Sequence, residues 1–167
     1  VSVTEHHNLA GQTLVRCGII TLSDTRTLET DTSGSKIAQL LRSTGHEVMD
    51  HQVIKDEPSL LLPVIQQMLG REEIDVILTT GGTGISRRDQ TIGVIEKLIE
   101  QPLPGFGELF RMLSFQAIGS AAMLSRAVGG IVGRKAIFAM PGSTAAVELA
   151  MTTLVIPELK HLVHQLK

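Results

Sequence analysis

Short apolar runs alternate along the chain with stretches in which apolar side chains recur every three or four positions, and this alternation sets the expected architecture. Runs at 15–22, 47–54, 74–79, 128–132 and 135–140 have strand length. Segments 34–43, 59–69, 90–100, 106–114, 120–125 and 144–155 carry a helical period, and 158–166 is amphipathic. Strands and helices in alternation, joined by short connections, predict βαβ units and a largely parallel sheet in one α/β domain over 14–167. Residues 1–13 form an N-terminal lead-in. Its Glu5, His6, His7 and Asn8, with no basic start and no long apolar core, do not read as a secretory signal, and a first residue of valine suggests that a little of the chain precedes it.

Polar and glycine residues punctuate the pattern. Asp31, Thr32 and Ser33 supply capping side chains ahead of Ile37, Leu40 and Leu41, and Gly45 stands where that helix needs a stop. Asp56 or Ser59 is placed to cap the next helix, in which Pro63 predicts a late start or a kink, because an interior proline costs about 3 kcal/mol. Gln101, Pro102, Leu103, Pro104 and Gly105 break the pattern before a helix that presents Phe106, Leu109, Phe110 and Leu113 on one face. That face either packs on its own sheet or meets a neighbouring subunit.

Composition narrows the function. A net charge of −2, no Trp or Tyr and only four Phe argue against a nucleic-acid partner, which needs basic excess and stacking platforms. No apolar stretch reaches the roughly 20 residues that span a bilayer, so no membrane role is expected. The single cysteine, Cys17, has no partner for a disulfide and lies in an apolar run, which points to core packing and a reducing compartment.

The most informative chemistry lies between positions 78 and 91, where an apolar strand runs into Thr79, Thr80, Gly81, Gly82, Thr83 and Gly84, then Arg87, Arg88 and Asp89. Glycines let backbone N–H groups converge on an anion, the threonines offer hydroxyls, the arginines could neutralise phosphate, and Asp89 could hold a divalent metal. The spacing is neither Gly-x-x-x-x-Gly-Lys-Ser/Thr nor Gly-x-Gly-x-x-Gly, which disfavours a nicotinamide dehydrogenase, and a purely structural turn stays open. Two other strand ends carry similar chemistry: Ser23 and Asp24 with the Asp31 to Gly34 turn, and Pro141, Gly142 and Ser143. In a parallel sheet these ends share one edge, where ligands bind.

These words, in order, resemble the MoaB/MogA family of molybdenum cofactor biosynthesis. The matching stretches are Thr-Leu-Ser-Asp at 21–24, Asp-Thr-Ser-Gly at 31–34, the loop at 79–91, Gly-Phe-Gly-Glu-Leu-Phe-Arg at 105–111, Leu-Ser-Arg-Ala at 124–127 and Met-Pro-Gly-Ser at 140–143. The resemblance covers 15–159, and 105–119 is closer to the MoaB branch. It implies a three-layer fold with helices on both faces of the sheet, and molybdopterin adenylyltransferase chemistry in which ATP and molybdopterin, with Mg2+, give adenylyl-molybdopterin and pyrophosphate. It implies Asp56 and Asp89 as catalytic and metal-binding acids. Thr80, Gly81, Gly82, Thr83, Gly84, Arg88, Ser125, Pro141, Gly142 and Ser143 would form the substrate cradle, and Ser23 and Asp24 would handle the nucleotide. A cytoplasmic homotrimer or homohexamer is expected, with a molybdenum-inserting enzyme as a further partner.

Blander readings of the same residues stand beside these. Asp56, Asp89 and Ser143 are also good helix N-caps, Ser125 could bond its own backbone, and Ser23 and Asp24 suit any strand-end turn. Adenylating relatives carry an acid shortly after the loop, where this chain has Gly93. A catalytically weak or inactive paralogue that binds molybdopterin or acts as a scaffold is therefore the alternative. His161 and His164, three apart, read as a solvated helix face rather than a metal site, and His46 and His51 as the exposed side of a marginal strand.

Overall fold

The structure, a computed structural model, describes residues 13–167, so the lead-in lies outside the described residues except for residue 13. The strands are β1 (Arg16–Leu22), β2 (Glu47–Ile54), β3 (Val76–Thr80), β4 (Gln101–Pro102), β5 (Val128–Val132) and β6 (Lys135–Met140). They form one six-stranded sheet in the order β2-β1-β3-β6-β5-β4. β1 runs parallel to β2 and β3, and β3 parallel to β6, while β5 is antiparallel to both β6 and β4. The reversal has a local cause: Val132 pairs with Lys135, so the hairpin has two turn residues, and the first, Gly133, takes the positive φ of 59° that such turns need. β4, two residues long at the sheet edge, falls inside the segment expected only to break the pattern; its Pro102 is tolerated at an edge.

Among the described residues the α-helices are α1 (Thr32–Ser43), α2 (Pro58–Leu69), α3 (Thr91–Leu98), α4 (Pro104–Ile118), α5 (Thr144–Ala150) and α6 (Ile156–Leu166). Strand parity sorts the core into two layers. Cys17, Ile19, Val76, Leu78, Phe138 and Met140 face one side, packing with Ile37 and Leu41 of α1, Phe106 and Phe110 of α4, Val147 of α5 and Leu159 of α6. Ile20, Leu22, Ile77, Ile137 and Ala139 face the other, with Leu61 and Ile65 of α2 and Ile92 and Ile95 of α3. Helices thus cover both faces, giving the three-layer α/β arrangement. Burial holds the Cys17 thiol well above its ordinary pKa, as an inert core group requires. Among the described residues no helix is long and apolar enough to cross a membrane.

Several local expectations are corrected. α2 starts at Pro58 with Glu57 as its N-cap and no side-chain cap, so neither Asp56 nor Ser59 caps it, and it runs unbroken past Pro63 instead of starting late. A proline at the first helical position supplies the start that a capping side chain would. α4 is longer than 106–114 and its buried face is Phe106, Gly107, Phe110 and Ser114; Leu109 points outward, 46% exposed. A 3₁₀ turn, Gly119–Leu124, replaces the helix expected at 120–125. The long final helix carries a π segment, Met151–Val155, between α5 and α6. His46 is buried and accepts the Val15 N–H at 3.4 Å, and His51 is half-buried with Nε2 2.8 Å from Asp31 Oδ2, so neither lies on an exposed strand face.

Two helical glycines make opposite predictions. A Cβ on Gly34 would overlap Asp31, His51 and Thr21, whereas one on Gly93 meets nothing within 4 Å. Gly34→Ala should lower unfolding free energy by about 1–3 kcal/mol through overpacking, and Gly93→Ala should raise it by up to about 1 kcal/mol through helix propensity. Chemical denaturation of the two variants checks both signs.

Candidate functional site

The connection leaving β1 leads outward to β2 and the one leaving β3 leads the other way, to β4 at the far edge, so the crevice expected of such a sheet opens where β1 and β3 adjoin. A cavity of about 500 Å³ lies there, against the carboxyl ends of β1, β3 and β6. Ser23, Thr25 and Arg26 line it from the loop after β1, Gly81, Gly82, Thr83, Gly84 and Asp89 from the loop after β3, and Pro141 and Gly142 from the loop after β6. Ser33 of α1, with Leu124, Ser125 and Arg126 after the 3₁₀ turn, completes the wall.

Close backbone approach explains the glycines. Gly81 (φ 98°) sits so near the Leu22 carbonyl that any Cβ would collide with it, and a Cβ on Gly142 would come within 3.2 Å of Gly81 Cα. Gly81 N–H also donates to the Met140 carbonyl at 3.1 Å, tying the second loop to the third. The fully buried Thr80 does the same through its side chain, donating to the Pro141 carbonyl at 2.9 Å. Thr80 thus lies beneath the cavity and joins two loops rather than facing a ligand.

The loop also sets the two expected acids. A Cβ on Gly82 would stand 2.5 Å from Asp56 Oδ1, and one on Gly84 2.7 Å from Asp89 Oδ2, so the glycines hold both carboxylates against one turn. Neither acid is a helix cap: the N-cap of α3 is Gln90, and Asp89 Oδ2 instead accepts the Ser86 N–H at 3.0 Å, closing its own loop. Hydrogen bonds from Ser86 hold the Asp89 carboxyl below its ordinary range, with Gly84 and the charge of Arg126 adding to the effect. Asp56 behaves oppositely. Burial, and then the negative charges of Asp89 and Asp24, raise it above the usual carboxylate value. Asp24 in turn accepts the Asp56 N–H at 3.2 Å and pairs with Arg88.

Other expected residues divide between cavity and scaffold. Ser23 Oγ accepts N–H groups from Thr25 (3.3 Å) and Arg26 (3.1 Å), which folds the loop. Ser143 caps α5, accepting the Ala146 N–H at 3.1 Å. Ser125 lines the first cavity and, with Pro141 and Ser143, a second and mainly apolar one of about 310 Å³ between α4 and α5. Arg88 does not line the cavity; its side chain is 73% exposed and turned to Asp24. His161 bonds Glu158 and Gln165 within α6. Among the described residues no group of three His, Cys, Asp or Glu is arranged to hold a metal ion.

Three residues of this region were given no binding or catalytic role in the sequence. Arg126 donates from Nε to the Thr83 carbonyl at 2.9 Å and from Nη2 to the Gly84 and Asp89 carbonyls, the latter at 2.8 Å, and so fastens the whole glycine loop. Asp31, expected only as a cap, does accept the Gly34 N–H at 2.9 Å, but it also binds Thr21 Oγ1 at 2.6 Å and His51. Burial raises its pKa, but these bonds outweigh burial and hold the carboxyl below its ordinary range. Arg26 reaches the wall beside it. The signal for Arg126 was present in the Leu-Ser-Arg-Ala stretch, but nothing local shows that its partners are carbonyls some 40 positions away.

Known proteins match the chain almost end to end. A family profile described as a probable molybdopterin binding domain, for molybdenum cofactor biosynthesis, matches residues 18–161. Molybdenum cofactor biosynthesis protein B of Bacillus cereus is 49% identical over 167 residues, 99% of this chain and 98% of its own. Among crystal structures, a molybdenum cofactor biosynthesis protein B superposes with a TM-score of 0.90 at 49% identity, over 92% of this chain and 96% of that one. The tungsten cofactor synthesizing protein MoaB of Pyrococcus furiosus superposes with a TM-score of 0.82 at 33% identity, over 92% and 97%.

The raised carboxyl of Asp56 has a measurable consequence. A carboxyl whose folded-state pKa exceeds its unfolded value of 3.8 binds its proton more tightly when folded, so it lowers stability once pH passes above that window. Asp56→Asn should therefore melt at a higher temperature than the parent at pH 7, and the difference should shrink as pH falls through the raised value. Thermal unfolding across a pH series checks the sign.

Proposed function

The chain belongs to the molybdenum cofactor biosynthesis family of probable molybdopterin binding domains, and from that premise we propose that it adenylylates molybdopterin. A phosphate oxygen of molybdopterin attacks the α-phosphorus of ATP, a new P–O bond forms, the bond to the β-phosphate bridging oxygen breaks, and pyrophosphate leaves with that electron pair. The nucleophile is already an anion, so no general base is needed. The barrier is the approach of like charges, and catalysis is positioning plus charge compensation.

The observation that carries this reading is a glycine loop that lines the cavity at the sheet edge together with Asp89, while Asp56 stands against the same loop at Gly82, just outside the lining, its carboxyl raised by burial and then by Asp89 and Asp24. Backbone N–H groups of Gly82 and Thr83 take phosphate oxygens, and Ser125, Pro141 and Gly142 shape the wall that meets the pterin. Asp56 and Asp89 suit magnesium in their donor chemistry, hard oxygens whose mutual repulsion a cation would relieve. Two carboxylates suffice in principle, since magnesium keeps waters and uses one or two carboxylates together with substrate phosphates. Bound there, magnesium supplies positive charge against the phosphate oxygens. A lone buried thiol accords with a cytoplasmic enzyme.

The apolar stripe on α4 and the 3₁₀ turn, with Leu109, Met112, Phe115, Ile118 and Met123 between 46% and 79% exposed, supports assembly into a trimer or hexamer. A molybdenum-inserting enzyme would then receive the adenylylated product.

Pure protein mixed with molybdopterin, ATP and magnesium should release pyrophosphate and form the adenylylated pterin. Asp89→Asn should cut turnover by about 100-fold or more while pterin binding persists. Pterin binding without turnover in the unmutated protein would move the assignment to the scaffold alternative. Light scattering should report a multiple of the 18.0 kDa chain, and Phe115→Glu should reduce it.

A further inference from the structure

Polyphosphate needs side-chain cations as well as amides, and the cavity wall contains two arginines, Arg26 and Arg126. Arg126 is committed elsewhere. Its Nε and Nη2 face the carbonyls of Thr83, Gly84 and Asp89, so its fork binds protein rather than ligand. Arg88, the arginine singled out from the sequence, pairs with Asp24 outside the wall. Arg26 remains.

Its setting is built for the task. The backbone N–H of Arg26 is fixed at 3.1 Å to Ser23 Oγ, directly after β1, and its Nη1 donates to Ser33 Oγ at 3.1 Å and lies 4.0 Å from Asp31 Oδ1. Asp31 is itself immobile, with no side-chain exposure and bonds from Thr21, Gly34, Ser33 and His51. One edge of the guanidinium is thereby oriented, while its other donors have no acceptor among the described residues and the side chain keeps 34% exposure. An oriented guanidinium with an unused edge, in a glycine-lined cavity, has the geometry for a two-point grip on a phosphate.

We propose that Arg26 is a phosphate-binding residue of the cavity, gripping substrate phosphoryl oxygens from the β1 side opposite the glycine loop. This rests on the reading of the cavity as a polyphosphate site. Arg26 and Ser33, through which the guanidinium is oriented, both line the cavity.

Calorimetric titration with inorganic pyrophosphate in the presence of magnesium tests it on the full chain. Arg26→Ala should bind pyrophosphate about 10- to 100-fold more weakly than the parent, and Arg26→Lys, which keeps the charge but loses the planar fork, several-fold more weakly. Parental affinity in Arg26→Ala, with the parent binding normally, would overturn this inference and leave the proposed function standing. Absence of pyrophosphate binding in the parent itself would overturn both. Should Arg26→Ala fail to fold, Arg26→Lys decides: parental affinity there overturns the grip.

Discussion

Steric exclusion at the carboxyl edge of the sheet governs the rest of this molecule. Parallel strands stand about 4.8 Å apart, so the loops that leave β1, β3 and β6 can lie on one another only where side chains are absent. Gly81 against the Leu22 carbonyl and Gly142 against Gly81 meet that condition, and the hydrogen bonds from Gly81 and Thr80 to the third loop then lock the contact. The removed side chains leave the backbone of the glycine loop lining a cavity. Tight packing and the proposed anion affinity thus belong to the same turn, which is why it reads equally well as structure or as chemistry until its neighbours are known.

Charge is arranged around that cavity by contrast rather than by excess. Asp31 and Asp56 are the same residue type, on loops at adjacent strand ends, yet their carboxyls move in opposite directions. Asp31 is fully enclosed but surrounded by donors, so ionisation is supported and the group serves as a fixed negative anchor. Asp56 is only half-buried but faces two further carboxylates, so its charge is unsatisfied in the protein alone. Under the proposed function, an unsatisfied carboxylate beside the glycine loop is a stored preference for a cation. That charge lowers the stability of the free protein, and a bound cation would recover it.

The layered fold was legible in the sequence because burial on both faces of a central strand forces continuous apolar runs, and β1, β3 and β6 have them. Helix ends were less legible where alternatives compete locally: Asp56, Ser59 and Pro58 all suit a helix start, and the proline won. The direction of β5 depended on a two-residue turn at Gly133 whose handedness is conformational, not compositional. In the site, the glycine loop and its acids were visible because they are contiguous or motif-bound. The arginines were less legible because their contacts are set by long-range geometry. Arg88 looks right by proximity to the loop, yet it turns away, whereas Arg126 arrives from another element and Arg26 is oriented by an aspartate five positions on.

The departure at Gly93 bears on whether the site is complete. An acid at that position would sit in the first turn of α3, where a carboxylate favours the helix start through the exposed N–H groups and the helix dipole. Position 93 is exposed, a Cβ placed there would meet nothing within 4 Å, and it does not line the cavity. The chain therefore lacks a stabiliser of α3 rather than a wall of the cavity. Since α3 is still fastened to the loop by the Thr91 N–H, which donates to the Gly82 carbonyl at 3.1 Å, the loop keeps its anchor at the point where Gly82 meets Asp56. The missing acid thus bears on the rigidity of the helix behind the site, and leaves its donor set unchanged.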